Sequence, residues 1–180
     1  MLSLFSKKNK GYTMIELVLV MAMMAIMLAV VFVNYKTGAE QLALQRAANK
    51  LMGDIRRAET MAGVDSCSYG ISFNAKPNQN NKAYILFADC GGNEKYEQSE
   101  TKETIELEKG IEVCSISGSS GNQDKADLLF MPPDPFVFVD GVRKDNILGF
   151  ISLDIVICQS SDTSKTKAVS VNRAGMISSQ

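Results

Sequence analysis

Glu16 is the residue whose chemistry stands out. It precedes L-V-L-V-M-A-M-M-A-I-M-L-A-V-V-F-V at 17–33, seventeen residues with neither a charge nor a hydroxyl. A charged side chain costs about 2.5–3.5 kcal/mol at the centre of a membrane span by insertion scales, and less near its end. Either Glu16 snorkels to the headgroups or its carboxylate has a cationic partner. Cys67, Cys90, Cys114 and Cys158 are the second chemical set. No pair has C-x-x-C spacing, which argues against zinc and thioredoxin-like sites. Disulfides are expected, with four buried reduced thiols as the alternative. Asp124, Asp127, Asp134, Asp140 and Asp145 are the right ligand type for calcium, but their spacing follows no EF-hand series. They are expected to be solvated loop charges, and no metal is expected. Lys165, Lys167 and Arg173 could touch phosphates, yet no aromatics interleave them.

Histidine is absent, which removes Ser-His-Asp and Cys-His nucleophiles and the commonest neutral metal ligand. No Walker loop, G-x-S-x-G, H-E-x-x-H or Rossmann glycine pattern occurs. The G-S-S-G at 118–121 has no base beside it and reads as a flexible loop. No enzyme activity and no cofactor are expected.

The elements that must position Glu16 follow from the composition. The chain has 180 residues, 46% hydrophobic and 22% charged, with net charge −1, which suits one domain with an appendage. Residues 14–33 would form about 30 Å of helix, the thickness of a bilayer's hydrocarbon core. The run is too long for a secretory h-region and no small-x-small cleavage site follows it. The flank M-L-S-L-F-S-K-K-N-K-G carries Lys7, Lys8 and Lys10 and no acid. Cytoplasmic flanks are rich in lysine and arginine, so the N-terminus should stay inside and residues 34–180 should be exported. All four cysteines lie in the exported part, where disulfides persist.

Past Val33 the pattern becomes amphipathic. Leu44, Ala47, Ala48, Leu51, Ile55, Ala58 and Ala62 recur at three- and four-residue steps. No proline interrupts residues 12–62, so one continuous helix of roughly 75 Å is expected, membrane-spanning over about 14–33 and packed on a head in its second half. Gly38 is its soft point. Gly63 with Val64 and Asp65 should end it. The head, residues 63–180, reads as strands at Tyr69–Phe73, Ala83–Ala88, Thr104–Leu107, Ile111–Ile116, Asp127–Met131, Phe136–Val139, Phe150–Ile157, Ala168–Val171 and Gly175–Ile177. Between them K-P-N-Q-N-N-K, G-G-N-E-K-Y-E-Q-S-E, S-G-S-S-G-N-Q-D-K and P-P-D-P should be loops. The fold class is α+β: a long N-terminal helix against one antiparallel sheet or a pair.

A hairpin centred between Asn78 and Gln79 would set Phe73 opposite Tyr84, Ile71 opposite Leu86, Tyr69 opposite Ala88 and Cys67 opposite Cys90, all on one face. Cys67–Cys90 is thus favoured, leaving Cys114–Cys158, although four cysteines allow three connectivities.

The string K-N-K-G-Y-T-M-I-E-L, a basic leader, glycine, aromatic, threonine, two apolar residues and a glutamate opening a membrane helix, resembles a type IV prepilin. The resemblance is to the type IV filament superfamily: type IV pilins, the pseudopilins of type II secretion and competence pseudopilins. It implies a leader, residues 1–11, cut after Gly11 by a prepilin peptidase, and N-methylation of the new terminus at Tyr12. Thr13 matches the family pattern. Glu16 would serve assembly by pairing with the terminal amine of a neighbouring subunit. Tyr12 and Met14 stand where phenylalanine and leucine are commonest. The stretch Q-R-A-A-N-K-L-M-G-D-I-R-R-A-E-T-M-A, then S-Y-G-I-S-F and V-N-R-A-G-M-I, resembles the minor pseudopilins of the GspH/FimT type. The kinking proline of many major pilins is missing, which fits a minor subunit or pseudopilin. The implied partners are the peptidase, other pilin or pseudopilin subunits in a helical filament, an inner-membrane assembly platform, and the lipid bilayer before assembly. The implied location is the inner membrane, then an extracellular or periplasmic filament. A DNA-binding minor pilin of a competence system is the alternative, but leader removal would leave net charge −4, so nucleic acid is not expected as a partner.

Overall fold

The computed structural model describes residues 11–76, 80–118, 121–132, 136–139, 152–172 and 175–179. Among them the chain forms one α-helix, α1 (Met14–Val64), a short 3-10 helix (Gln98–Glu100) within the stretch expected as the loop G-G-N-E-K-Y-E-Q-S-E, and the strands β1 (Ser68–Asn74), β2 (Ala83–Asp89), β3 (Thr101–Glu106), β4 (Ile111–Gly118), β5 (Gly121–Gln123), β6 (Lys125–Met131), β7 (Phe136–Val139), β8 (Ser152–Gln159), β9 (Asp162–Asn172) and β10 (Ile177–Ser179). The architecture is α+β, with antiparallel sheets. Two compact units divide at Ala39 and Glu40. In the first, α1 residues 14–31 are exposed throughout. In the second, residues 40–64 of α1 belong with the strands.

Both ends of the helix differ from the expected 12–62. It begins at Met14, because Thr13 caps it. At the other end it runs through Gly63 to Val64, and the Asp65 amide still bonds to the Met61 carbonyl at 3.0 Å. A glycine costs a helix only about 1 kcal/mol, and the buried Ala62 carries the last turn past it.

The strands form two five-stranded sheets, ordered β3-β2-β1-β6-β7 and β10-β9-β8-β4-β5. Leu44, Ala47, Ala48, Leu51, Ile55, Ala58 and Ala62 are all buried, so the amphipathic stripe is the packed face of the helix. They share one core with Ile71, Phe73, Tyr84 and Phe130 of the first sheet and Ile116, Leu153, Ile155 and Val169 of the second. Four alanines in that stripe keep the helix surface low, so bulky strand side chains can approach it.

Several strand limits moved. The stretch read as the loop S-G-S-S-G-N-Q-D-K contains β5, because Ser117 pairs with Asn122 and Gly118 with Gly121, antiparallel to the end of β4. Residues 162–167, not expected to be a strand, form the first half of β9 by pairing with the end of β8. Leu107 lies outside β3, yet its amide still bonds to the Lys82 carbonyl at 2.9 Å. The last strand begins at Ile177, two residues later than expected, because Gly175 (φ +77°) sits in the turn that Asn172 closes. Phe150, which opened one expected strand, and the centre of the β1–β2 hairpin lie outside the described residues.

The β1–β2 register pairs Tyr69 with Ala88 and Ile71 with Leu86, as the alternation along the two strands requires. The Phe73 and Tyr84 rings meet at 5.8 Å between centroids.

One flank of α1 runs beside β3. The Arg46 guanidinium donates to both carboxylate oxygens of Glu108 at 3.2 Å. Lys50 Nζ donates to the Glu106 carbonyl at 3.1 Å, and Arg57 donates to Glu103 at 2.9 Å. Ascending the helix from 46 to 57 descends the chain from 108 to 103, so the pairs index helix against strand. Exposed ion pairs add little free energy; their consequence is register and a covered strand edge.

Within this flank the buried Tyr84 hydroxyl donates to Asp54 Oδ2. Burial, and then the adjoining carboxylate, push the Tyr84 phenol well above its ordinary value of 10.0. A phenol held protonated in the fold and free to ionise when unfolded contributes stability that is complete below pH 10 and is lost as pH rises beyond it. Between pH 10 and 11 thermal unfolding of the detergent-solubilised chain should show a loss approaching 1.4 kcal/mol per pH unit from this residue. Tyr84→Phe should reduce that slope; an unchanged slope in the variant would exclude Tyr84 as its source.

Candidate functional site

The residues nominated by the sequence occupy the start of α1 and the covalent bridges of the head. Gly11, Tyr12 and Thr13 are not helical, and Tyr12 is 82% exposed. The Thr13 carbonyl accepts the amides of Glu16 at 3.1 Å and Leu17 at 3.2 Å. Thr13 Oγ1 also faces the Glu16 amide, at 3.4 Å. Thr13 is therefore the N-cap, and Glu16 is the third helical residue. Thr-x-x-Glu before an apolar run is a helix-start pattern, a signal that was available in the sequence. A carboxylate in the first helical turn lies in the favourable field of the helix N-terminus. The Gly11–Tyr12 peptide bond lies outside the helix and in the open.

Behind Glu16 the window Met14–Val31 has mean hydropathy 2.7, and none of it is buried. It is long and apolar enough to cross a membrane. Lys7, Lys8 and Lys10 lie outside the described residues.

Cys67 is bonded to Cys90, with Cα atoms 4.6 Å apart, and Cys114 to Cys158, 5.8 Å apart. The first bridge ties the segment after α1 to the end of β2. The second joins β4 to β8, where a bulge between Val113 and Ser115 displaces Cys114 from simple pairing. Glu112 adjoins the second bridge, but sulfurs in a disulfide offer no thiolate to a metal.

Of the loop acids, Asp124 pairs with Lys76 at 3.3 Å. Asp127, expected to be a solvated loop charge, is instead buried within β6, where it accepts from Ser72 Oγ at 2.5 Å and lies 3.4 Å from Lys125, so its desolvation is offset by these partners. Asp134, Asp140 and Asp145 lie outside the described residues. Among the basic candidates, Lys165 is already paired with Glu40 at 3.1 Å and lies 3.8 Å from Asp162. Lys167 lines, with Lys165, Gln41 and Leu44, a shallow groove between α1 and β9, and Arg173 lies outside the described residues.

One anchor escaped sequence reasoning. The buried Asp89 carboxylate accepts the backbone amides of Gly92, Asn93 and Glu94 at 2.6, 3.3 and 2.8 Å. It folds the loop that follows Cys90. The D-x-x-G spacing at 89–92 was the available signal.

The model of the prokaryotic N-terminal methylation motif matches residues 6–32. The fold is similar to crystal structures of the type IV minor pilin FimU from Pseudomonas aeruginosa (strain PAO1). One crystal form aligns with TM-score 0.50 and 15% identity over 76% of this chain and 87% of that chain. A second form gives 0.48 and 15% over 76% and 92%. The chain matches no curated protein.

Proposed function

We propose that this chain, a member of the type IV pilin superfamily by its methylation motif and its pilin fold, is a minor structural subunit of a type IV pilus-like or type II secretion filament. In this reading a prepilin peptidase cuts after Gly11 and Tyr12 becomes the methylated N-terminus. The chain waits in the inner membrane with its N-terminus inside and its head outside. An assembly platform then moves it into a helical filament of related subunits, in which Glu16 pairs with a neighbour's terminal amine.

The observation that carries the reading is the fully exposed apolar helix, Met14–Val31, entered through Thr13 with Glu16 in its first turn. A soluble domain has no use for eighteen lipid-compatible residues with none of them packed. A free α-amine remains protonated near neutral pH, with an ordinary pKa of about 8. Opposite charges in a low-dielectric surround offset each other's desolvation only when docked in register. Pairing at Glu16 therefore selects both partner and axial height. The minor assignment draws on the missing proline and on the fold likeness to a minor pilin.

The DNA-binding alternative has less to stand on, since Lys165 is committed to Glu40 and Asp162. Intact mass and N-terminal sequencing of the membrane and sheared-filament fractions test the proposal. The expected start is methyl-tyrosine at position 12. A chain that keeps Lys7, Lys8 and Lys10 in the native cell would refute it.

A further inference from the structure

The two disulfides of the head meet solvent differently. Cys90 is exposed and Cys67 half-buried, whereas Cys158 is fully buried and Cys114 half-buried. A disulfide is opened by a thiolate that attacks one sulfur while the other departs with the electron pair. In the first bridge the accessible sulfur belongs to Cys90. The loop that Asp89 folds starts just beyond it and leaves Cys90 at the surface. The Asp89 carboxylate is itself spent on three backbone amides, whose dipoles offset the charge an incoming thiolate would meet.

In the second bridge Cys114 is the sulfur within reach, so Cys158 must be the one that departs. A thiolate forming there is disfavoured twice. It is desolvated, which raises the energy of any charged group. It also forms beside a carboxylate. The β4–β8 register sets Glu112 opposite Cys158, and a Glu112 carboxylate oxygen lies within 4.8 Å of the sulfurs of both Cys114 and Cys158. Glu112 has no ion-pair partner among the described residues to mask its charge. The same carboxylate repels the thiolate that would attack Cys114. Even in water, like charges at such a separation repel enough to slow a reaction about fivefold.

We propose that Cys90 is the site at which this chain forms a mixed disulfide with a low-molecular-weight thiol, while Cys114–Cys158, shielded by Glu112, does not exchange. The inference is independent of the filament reading. In the step, the external thiolate bonds to Cys90 Sγ as the Cys67–Cys90 bond breaks. The electron pair leaves on Cys67 Sγ, which takes a proton from water. A second thiol then displaces the Cys90 thiolate, releasing the external disulfide. In the reverse direction the Cys67 thiolate attacks the adduct and restores the bridge. The β1–β2 ladder and the buried stripe of α1 are made without the bridge, so the head should stay folded while it is open.

The test uses the full oxidised chain in detergent, treated with reduced glutathione near neutral pH, quenched with acid and alkylated. Peptide mass mapping should find glutathione on Cys90, an alkylated Cys67, and Cys114 still bonded to Cys158. The first bridge is expected to open at least about tenfold faster than the second. Glu112→Gln should speed opening of the second about fivefold and leave the first unchanged. High salt screens a half-exposed carboxylate, so it should narrow the gap between native chain and variant. Equal opening rates, Cys114–Cys158 opening first, or glutathione found on Cys67 in place of Cys90 overturns the proposal. An unchanged second-bridge rate in Glu112→Gln, or a gap indifferent to salt, overturns the shielding role of Glu112.

Discussion

Glu16→Gln is expected to be matured at Gly11 as efficiently as the native chain, yet to fall by about 100-fold or more in filaments. Glutamine keeps the size and the hydrogen-bonding ability of glutamate, so helix start and span are preserved. It removes only the charge. In the proposed filament the neighbour's terminal ammonium would then sit in an apolar surround with no counter-charge. Removing one partner of a buried pair costs about 3–5 kcal/mol, because the survivor keeps its desolvation penalty. A 1.4 kcal/mol change is a factor of ten, so the expected loss spans about two to three and a half orders of magnitude. The ratio of sheared to membrane-bound subunit measures it. Glu16→Ala should behave alike, since charge is the quantity at stake. Equal incorporation of the glutamine chain would refute the assembly role of Glu16. Failure of maturation would instead place Glu16 in recognition by the peptidase.

Gly70→Ala is expected to destabilise the head by about 2–3 kcal/mol, and Gly70→Val by more. Gly70 sits in the middle of β1 between Phe87 of β2 and Leu129 of β6. A Cβ there would lie 2.5 Å from the Leu128 carbonyl oxygen, 2.7 Å from the Phe87 ring and 2.9 Å from a Leu129 methyl. The Phe87 ring can tilt, but the carbonyl belongs to the neighbouring strand and moves only with the sheet. The missing side chain is thus what lets Phe87 and Leu129 close over the strand, with Tyr96 laid on them. Gly53→Ala provides the opposite case. Nothing lies within 4 Å of that position on the exposed side of the helix, so alanine should stabilise by up to about 1 kcal/mol. Thermal unfolding of both variants in detergent tests the pair. An unchanged melting temperature for Gly70→Ala would show that the sheet relaxes around the methyl.

The two results concern different levels of the molecule, and their legibility in the sequence differs for the same reason. Glu16, Thr13 and Gly11 could be singled out without a structure because the pattern that marks them lies among neighbours in the chain. An uninterrupted apolar run, a glycine and an acid at fixed spacing are local facts. The buried stripe from Leu44 to Ala62 and the β1–β2 register were legible likewise, since helical period and hairpin alternation involve residues close in sequence. The hairpin register in turn brings Cys67 beside Cys90.

Gly70 reads as an unremarkable strand glycine until β6, more than fifty residues later, is laid beside β1. Asp54 and Tyr84 are polar residues with no stated relation until the helix packs on β2. The first half of β9 is polar and becomes a strand only because β8 supplies hydrogen-bond partners. The division into two sheets depends on which strands find each other across the whole head. Local pattern determined where the chain is helical and apolar, and where the proposed cleavage would fall. Long-range pairing, whose partners no short window contains, decided how closely its strands approach and which surface it turns outward.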